Sequence, residues 1–186
     1  MIDTARLTLR QPEATDWPAY RAYRLSSRSS TGSAMPEGEA WTNFAAFFGH
    51  WHLRGFGRFV ATLTETGRSI GHFGPFFPEG HPERELTWTL WAPELEGQAY
   101  ALEAAYAVRD HAFGRLGWTS AVSYIDPANL RSQRLAARLG AVHDRAAANP
   151  YGDATQIWRH QPQMTKGHSQ GGFAALPPAD QPKVIS

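Results

Sequence analysis

Two hydrophobic periods divide the chain. Leu7 and Leu9 alternate with Arg6, Thr8 and Arg10, the period of a strand with one buried face, and predict a first strand over residues 5–11. Asp16-Trp17-Pro18 then places an acidic cap and a first-turn proline before a helix running to about 27. A Ser/Gly/Pro-rich loop over 26–38 leads to a second helix, about 38–53, carrying Trp41, Phe44, Phe47, Phe48 and Trp51. Three strands, 58–65, 69–77 and 83–91, follow as an antiparallel meander, separated by Thr66-Gly67 and Pro78-Glu79-Gly80. A helix over 97–116 has an apolar face of Leu102, Ala105, Tyr106, Phe113 and Leu116. Arg109 lies within that face and needs a polar partner or an escape to water along its stem. A strand (118–125), a helix (128–139) closed by Gly140, and two strands (141–147 and 154–160) complete the order β-α-α-β-β-β-α-β-α-β-β. Beyond Gln161 the sequence thins to Pro, Gly, Gln and Ser, so the expected division is a domain over 1–161 and an extended or mobile tail over 162–186.

Composition narrows the chemistry. With 186 residues and 42% hydrophobic content, the chain has enough apolar surface for a core without staples. Having no cysteine, it has no disulfide scaffold, thiolate zinc site or cysteine nucleophile. A net charge of +1 lacks the basic footprint of a nucleic-acid or membrane-surface binder. No signal-like or membrane-spanning run occurs, so the expected setting is cytoplasmic. His50-x-His52 is the one metal-like pair, but residues two apart on a helix do not share a face and no third ligand stands at zinc spacing, so no metal is expected.

The informative join runs from Leu86 to Ala104, where a strand passes through Ala92-Pro93-Glu94-Leu95-Glu96-Gly97-Gln98-Ala99-Tyr100-Ala101 into a helix with small residues in its first turn. Unpaired N–H groups and the helix dipole there suit a phosphate. One strand later, Asp126-Pro127-Ala128-Asn129-Leu130-Arg131-Ser132 opens a second helix, on which Ser132, Leu135 and Leu139 share the packing face and Arg131, Arg134 and Arg138 share another. In this order the two segments resemble the GNAT superfamily of acyl-CoA-dependent N-acetyltransferases. With the opening Thr4-Ala5-Arg6-Leu7-Thr8-Leu9-Arg10, they resemble its ribosomal-protein N-terminal acetyltransferase branch, over about residues 4–160.

That resemblance implies an α/β (α+β) fold, a mixed, twisted, seven-stranded sheet flanked by about four helices and splayed between its fourth and fifth strands. It implies acetyl-CoA as cosubstrate, an amine acceptor, and a monomer or homodimer. The family's pyrophosphate turn falls on Glu96-Gly97-Gln98-Ala99-Tyr100-Ala101, with Glu96 in place of the usual Arg or Gln and Ala99 in place of the usual Gly. By resemblance, Gly97, Gln98, Ala99, Tyr100 and Ala101 hold the pyrophosphate, backbone near Leu90 and Trp91 holds the pantetheine arm, and Asn129 bonds the cofactor or caps its own helix. The family's tyrosine acid, seven residues after this Asn, is here Ala136, which leaves Ser132 and Tyr124 as candidate acids. Glu85 matches an acidic position used as base in relatives. Trp41, Phe44, His72 and Trp88 are the expected acceptor-pocket residues.

Gly167-His168-Ser169-Gln170-Gly171 fits a hydrolase nucleophile elbow by pattern, but no His follows it and no parallel β-α repeats precede it, so a hydrolase is not expected. The expected function is direct transfer of an acetyl group from acetyl-CoA to a primary amine of a small molecule or peptide N-terminus. The alternative, motivated by Glu96, Ala99 and Ala136, is a non-catalytic acyl-CoA-binding or interaction module of the same fold.

Overall fold

In the computed structural model, which describes residues 1–29, 34–147 and 149–162, the strands join one eight-stranded sheet. They are β1 (Ile2–Asp3), β2 (Leu7–Arg10), β3 (Phe59–Leu63), β4 (Ser69–Phe76), β5 (Glu85–Leu90), β6 (Ala121–Ile125), β7 (Val142–His143) and β8 (Gln156–His160), in the order β1-β2-β3-β4-β5-β6-β8-β7. The helices are α1 (Trp17–Arg24), α2 (Glu37–Arg54), α3 (Tyr100–Asp110) and α4 (Leu130–Arg138). The expected tail, with the Gly167–Gly171 motif, lies almost wholly outside the described residues. Among those residues, no helix is long and apolar enough to cross a membrane.

The strand count exceeds the expected seven because the opening segment folds back on itself. Thr4 N–H donates to Leu7 O and Leu7 N–H donates back to Thr4 Oγ1, turning Ile2 onto Leu9, and a two-residue strand carries no period to read. The strand expected over 141–147 shrinks to two residues, because the Asp144 carboxylate accepts from the N–H groups of Ala146 and Ala147 and turns the chain. The helix expected from 97 begins at Tyr100, because Gly97 and Ala99 take left-handed conformations of φ 78° and 64°.

Alternation on the strands sorts the core into two layers. Leu7, Leu9, Phe59, Ala61, Ile70 and Phe73 pack against Ala104 and Val108 of α3. Val60 and Trp91 pack against Tyr20, Tyr23, Phe44 and Phe47 of α1 and α2. Arg109 finds its partner: one guanidinium nitrogen donates to Leu139 O at 2.9 Å, tying α3 to the end of α4, and another reaches Asp110. Every neighbouring pair from β1 to β5 is antiparallel, and so are β6–β8 and β8–β7. The single parallel join, β5 to β6, has one register pair, Glu85 with Val122, beyond which the strands part. That opening positions the site.

Candidate active site

A small polar cluster fixes the apex of the opening. Ser123 Oγ donates to Leu86 O at 2.6 Å, so it accepts from His160 Nε2 at 3.0 Å. His160 is thus neutral, with its proton on Nε2, and burial beside Arg109 pushes its pKa down to about 4. Beyond the apex Trp88 fills the gap, touching three of the core clusters, with its indole N–H donating to Ser132 Oγ on α4 at 3.2 Å.

Strand geometry then decides which backbone groups line the opening. Val122 N–H donates to Arg84 O, and Ser123 reaches Leu86 O, so even-numbered β5 residues point their N–H and C=O toward β6. Trp88 and Leu90 therefore present unpaired backbone groups to the gap. Trp91 turns the other way: its N–H bonds to Ile70 O at 2.7 Å, and its buried indole donates to His72 Nδ1. Of the two expected arm-holding residues, Leu90 faces the gap and Trp91 does not, and Trp88 presents the second edge.

Two cavities meet here. The first, about 750 Å³, lies between α3 and α4, with Leu90 on its floor, Gly97, Ala99, Tyr100 and Ala101 on one wall and Asn129, Arg131 and Ser132 on the other. The first intrahelical bond of α3 is Glu103 N–H to Ala99 O, which leaves the N–H groups of Tyr100, Ala101 and Leu102 without helical partners. Gln98 does not line the cavity. Its carbonyl accepts from Arg6, its side chain bonds to Glu94 O, and its N–H turns back to Leu95 O.

Glu96 is neutralised in a way that its position in the sequence did not reveal. Its two carboxylate oxygens are ion-paired separately, one with Arg28 from the loop after α1 and one with Arg131 on α4. Two guanidinium groups against one carboxylate leave the turn net positive, so Glu96 gathers cations at the mouth of the cavity. Asn129 caps its helix, with Oδ1 accepting from Ser132 N–H at 3.0 Å, and the residue lines both cavities.

The second cavity, about 480 Å³, lies under α1 and α2 and shares Trp88, Thr89, Asn129 and Ser132 with the first. Glu85 and Tyr124 line it, as does His72. Among the neighbouring acids, Glu79 pairs with Arg54 and Glu83 with Arg159, whereas Glu85 accepts from His81 Nε2 at 3.0 Å. His81 Nδ1 in turn stands 3.3 Å from the Tyr151 hydroxyl, so a hydrogen-bonded file leads from Glu85 to an exposed tyrosine. The Tyr124 hydroxyl is buried and has no hydrogen-bond partner among the described residues. Burial, with Glu83 and Glu85 nearby, raises its pKa to about 12.

The expected acceptor residues divide. His72 and Trp88 line the second cavity, but Phe44 is 2% exposed inside the α1–α2 core and Trp41 stacks edge-on against Trp17 at 5.0 Å, so neither reaches it. Tyr20, Arg24, Asn43 and Arg58 take their place. Arg58, next to the strand Phe59–Leu63, carried the available signal: a charge entering an otherwise apolar run. His50 is structural. Its Nδ1 meets Phe56 O at 2.7 Å and its Nε2 accepts from Phe77 N–H at 2.9 Å.

Relatives agree with this architecture. The family described as acetyltransferase (GNAT) domain matches residues 6–142. An uncharacterised N-acetyltransferase of Bacillus subtilis is 28% identical over 140 residues, 75% of this chain and 81% of that protein. The crystal structure of an acetyltransferase from Agrobacterium tumefaciens superposes with a TM-score of 0.80 at 36% identity, covering 87% of this chain and 94% of that one. An aminoglycoside acetyltransferase, solved in complex with coenzyme A, shares the fold at a TM-score of 0.67 and 16% identity, covering 84% and 95%. The family match covers most of the chain, and the chain belongs to the GNAT acetyltransferases.

Proposed function

We propose that the chain is an N-acetyltransferase that uses acetyl-CoA and passes the acetyl group directly to a primary amine. The observation that carries this reading is the meeting of the two cavities at Trp88, Thr89, Asn129 and Ser132, one suited to a phosphorylated arm and the other to an acceptor. Bound acetyl-CoA supplies an activated acetyl group whose C–S bond breaks, sulfur keeping the electron pair, as the amine nitrogen forms the new C–N bond.

The chain's residues supply position and proton transfer. The N–H groups of Tyr100, Ala101 and Leu102, with Arg28 and Arg131, suit the pyrophosphate. The unpaired backbone of Trp88 and Leu90 suits the amide-bearing arm, which would complete the β5 edge as a strand does. Ser132 Oγ already accepts from Trp88, and tryptophan only donates, so the serine's own proton is available for the leaving sulfur. Tyr124 is less suited to that task, since it lines only the acceptor cavity and its raised pKa makes it a weaker acid than an ordinary phenol. Glu85 is placed to take the ammonium proton, directly or through water, with His81 and Tyr151 leading it toward solvent. Because the chain has no cysteine, a thiol carrier is absent and direct transfer is the simpler route.

The test is release of free CoA thiol from acetyl-CoA across an amine panel. Acceptor-dependent release, with an N-acetylated product seen by mass spectrometry, is expected. CoA-induced thermal stabilisation without turnover on any amine would instead support the non-catalytic module.

A further inference from the structure

If the second cavity receives the acceptor, its lining selects among amines. One wall, from α1, α2, β4 and the residue before β3, is rich in hydrogen-bond donors. The Arg58 guanidinium sits 4.2 Å from the Phe47 ring centroid and 4.3 Å from that of Phe76, and it makes no hydrogen bond or ion pair with any described residue. Aromatic faces hold a cation but do not neutralise it. The Tyr20 hydroxyl has no hydrogen-bond partner among the described residues and lines the same wall. His72 is fixed by Trp91, whose indole N–H donates to Nδ1 at 2.9 Å, so the ring proton is on Nε2 and adds another donor. Burial, reinforced by Arg58 and Arg24, holds this imidazole well below its ordinary pKa, so it remains neutral. Arg24 contributes a second cation.

The opposite wall, from β5, β6 and the segment after it, carries Glu85 and Asp126. The cavity is therefore polarised, with Arg24 and Arg58 on one wall and Glu85 and Asp126 on the other. A ligand oxyanion is the natural complement of the donors on Arg58, Tyr20 and His72, because charge-assisted hydrogen bonds are the strong ones.

We propose that the acceptor is an amine that also bears a carboxylate, a compound of the amino-acid class. Its carboxylate lies against Arg58, Tyr20 and His72, and its ammonium points toward Glu85 and the junction with the cofactor cavity. This rests on the acetyl-transfer reading and deepens it. A polyamine fits poorly, because it would bring further positive charge to the Arg58 guanidinium, which no described residue neutralises.

The experiment measures thiol release from acetyl-CoA with matched sets: an amino acid, its primary carboxamide, and the amine lacking the carboxylate. For the carboxylate member we expect kcat/KM higher by at least about 30-fold, the usual scale for a charge-assisted pair in a partly desolvated site. Members of a set within about twofold of each other, or a preference for the carboxylate-free amine, would overturn the proposal and leave acetyl transfer standing. Thiol release from no member would overturn the acetyl-transfer reading itself. In R58M, KM for the amino acid should rise about 10- to 100-fold with kcat changed far less, and R58K should recover part of the loss. Because Arg58 is packed between two rings, CoA-induced thermal stabilisation of both variants serves as the folding control. A folded R58M with unchanged KM would place the carboxylate elsewhere.

Discussion

Ala99 is the one described non-glycine residue with positive φ, at 64°, and it stands at the turn where the resemblance calls for glycine. A left-handed alanine costs about 1–2 kcal/mol through the clash of its Cβ with the following carbonyl. Its methyl group is exposed at the cavity wall, so deletion removes little packing. Replacing it with glycine relieves that strain but adds unfolded-chain entropy worth about 0.4–1 kcal/mol. The balance is a net stabilisation of about 0.5–1 kcal/mol, or a rise in Tm of about 1–4 °C for a domain of this size. Differential scanning calorimetry of Ala99→Gly would measure it. The same change opens the approach to the N–H groups of Tyr100 and Ala101, so calorimetric titration with CoA should give an affinity at least equal to that of the unmodified chain. Ala99→Val should do the reverse on both counts, since a β-branched residue resists positive φ. A fall in Tm for Ala99→Gly would mean that the residue is not left-handed in solution and that the strain argument fails.

The remaining predictions concern the proton donor, the cationic turn and the acid limb of stability. Ser132→Ala should lower kcat by about 10²-fold with CoA binding retained, whereas Tyr124→Phe should keep most activity; steady-state kinetics with a reactive acceptor would reverse these roles if the tyrosine variant were the inactive one. Arg131→Ala should raise the Kd for CoA about tenfold with a shallower salt dependence, and an unchanged Kd would remove Arg131 from the phosphate site. Burial alone would raise the pKa of Asp16, but hydrogen bonds from Arg10, Ser69 and Glu13 N–H outweigh it and hold the carboxyl below its ordinary range. Its contribution to stability is therefore complete above the unfolded-state pKa near 4 and is lost as pH falls through the lower folded value. Asp16→Asn should cost about 3 kcal/mol at neutral pH, by removing the buried carboxylate that Arg10 holds bidentately and leaving it only the exposed Glu13 and Gln11 O, and should flatten the acid limb of the urea midpoint; an identical limb would place the titration elsewhere.

The fold was legible where periodicity ran long enough to count. Leu7 and Leu9, the meander from 58 to 91 and the aromatic stripe of α2 each repeat over several residues, and all form the elements they predict. β1 was not legible, because two residues carry no period and its pairing depends on the turn at Thr4, and β7 was drawn too long, because the Asp144 carboxylate turns the chain after His143. The site divided similarly. Residues tied to a local pattern, such as Gly97, Ala101, Asn129 and Ser132, come together around one cavity. Trp41 and Phe44 misled because an aromatic stripe on a helix packs against whatever lies beneath it, here α1. Partners set by distant contacts left no local trace: nothing near Glu96 shows that Arg28 and Arg131 converge on it, and nothing near Glu85 points to Tyr151 beyond His81.

The central claim is that the opening between β5 and β6 holds acetyl-CoA with its sulfur at the junction of the two cavities. A crystal structure with bound CoA tests it most directly. The account predicts the pyrophosphate on the N–H groups of Tyr100 to Leu102, the arm paired with the backbone of Trp88 and Leu90, and the sulfur within hydrogen-bonding reach of Ser132 Oγ. CoA bound outside this opening, or in it with the sulfur directed away from Ser132 and the acceptor cavity, would contradict it.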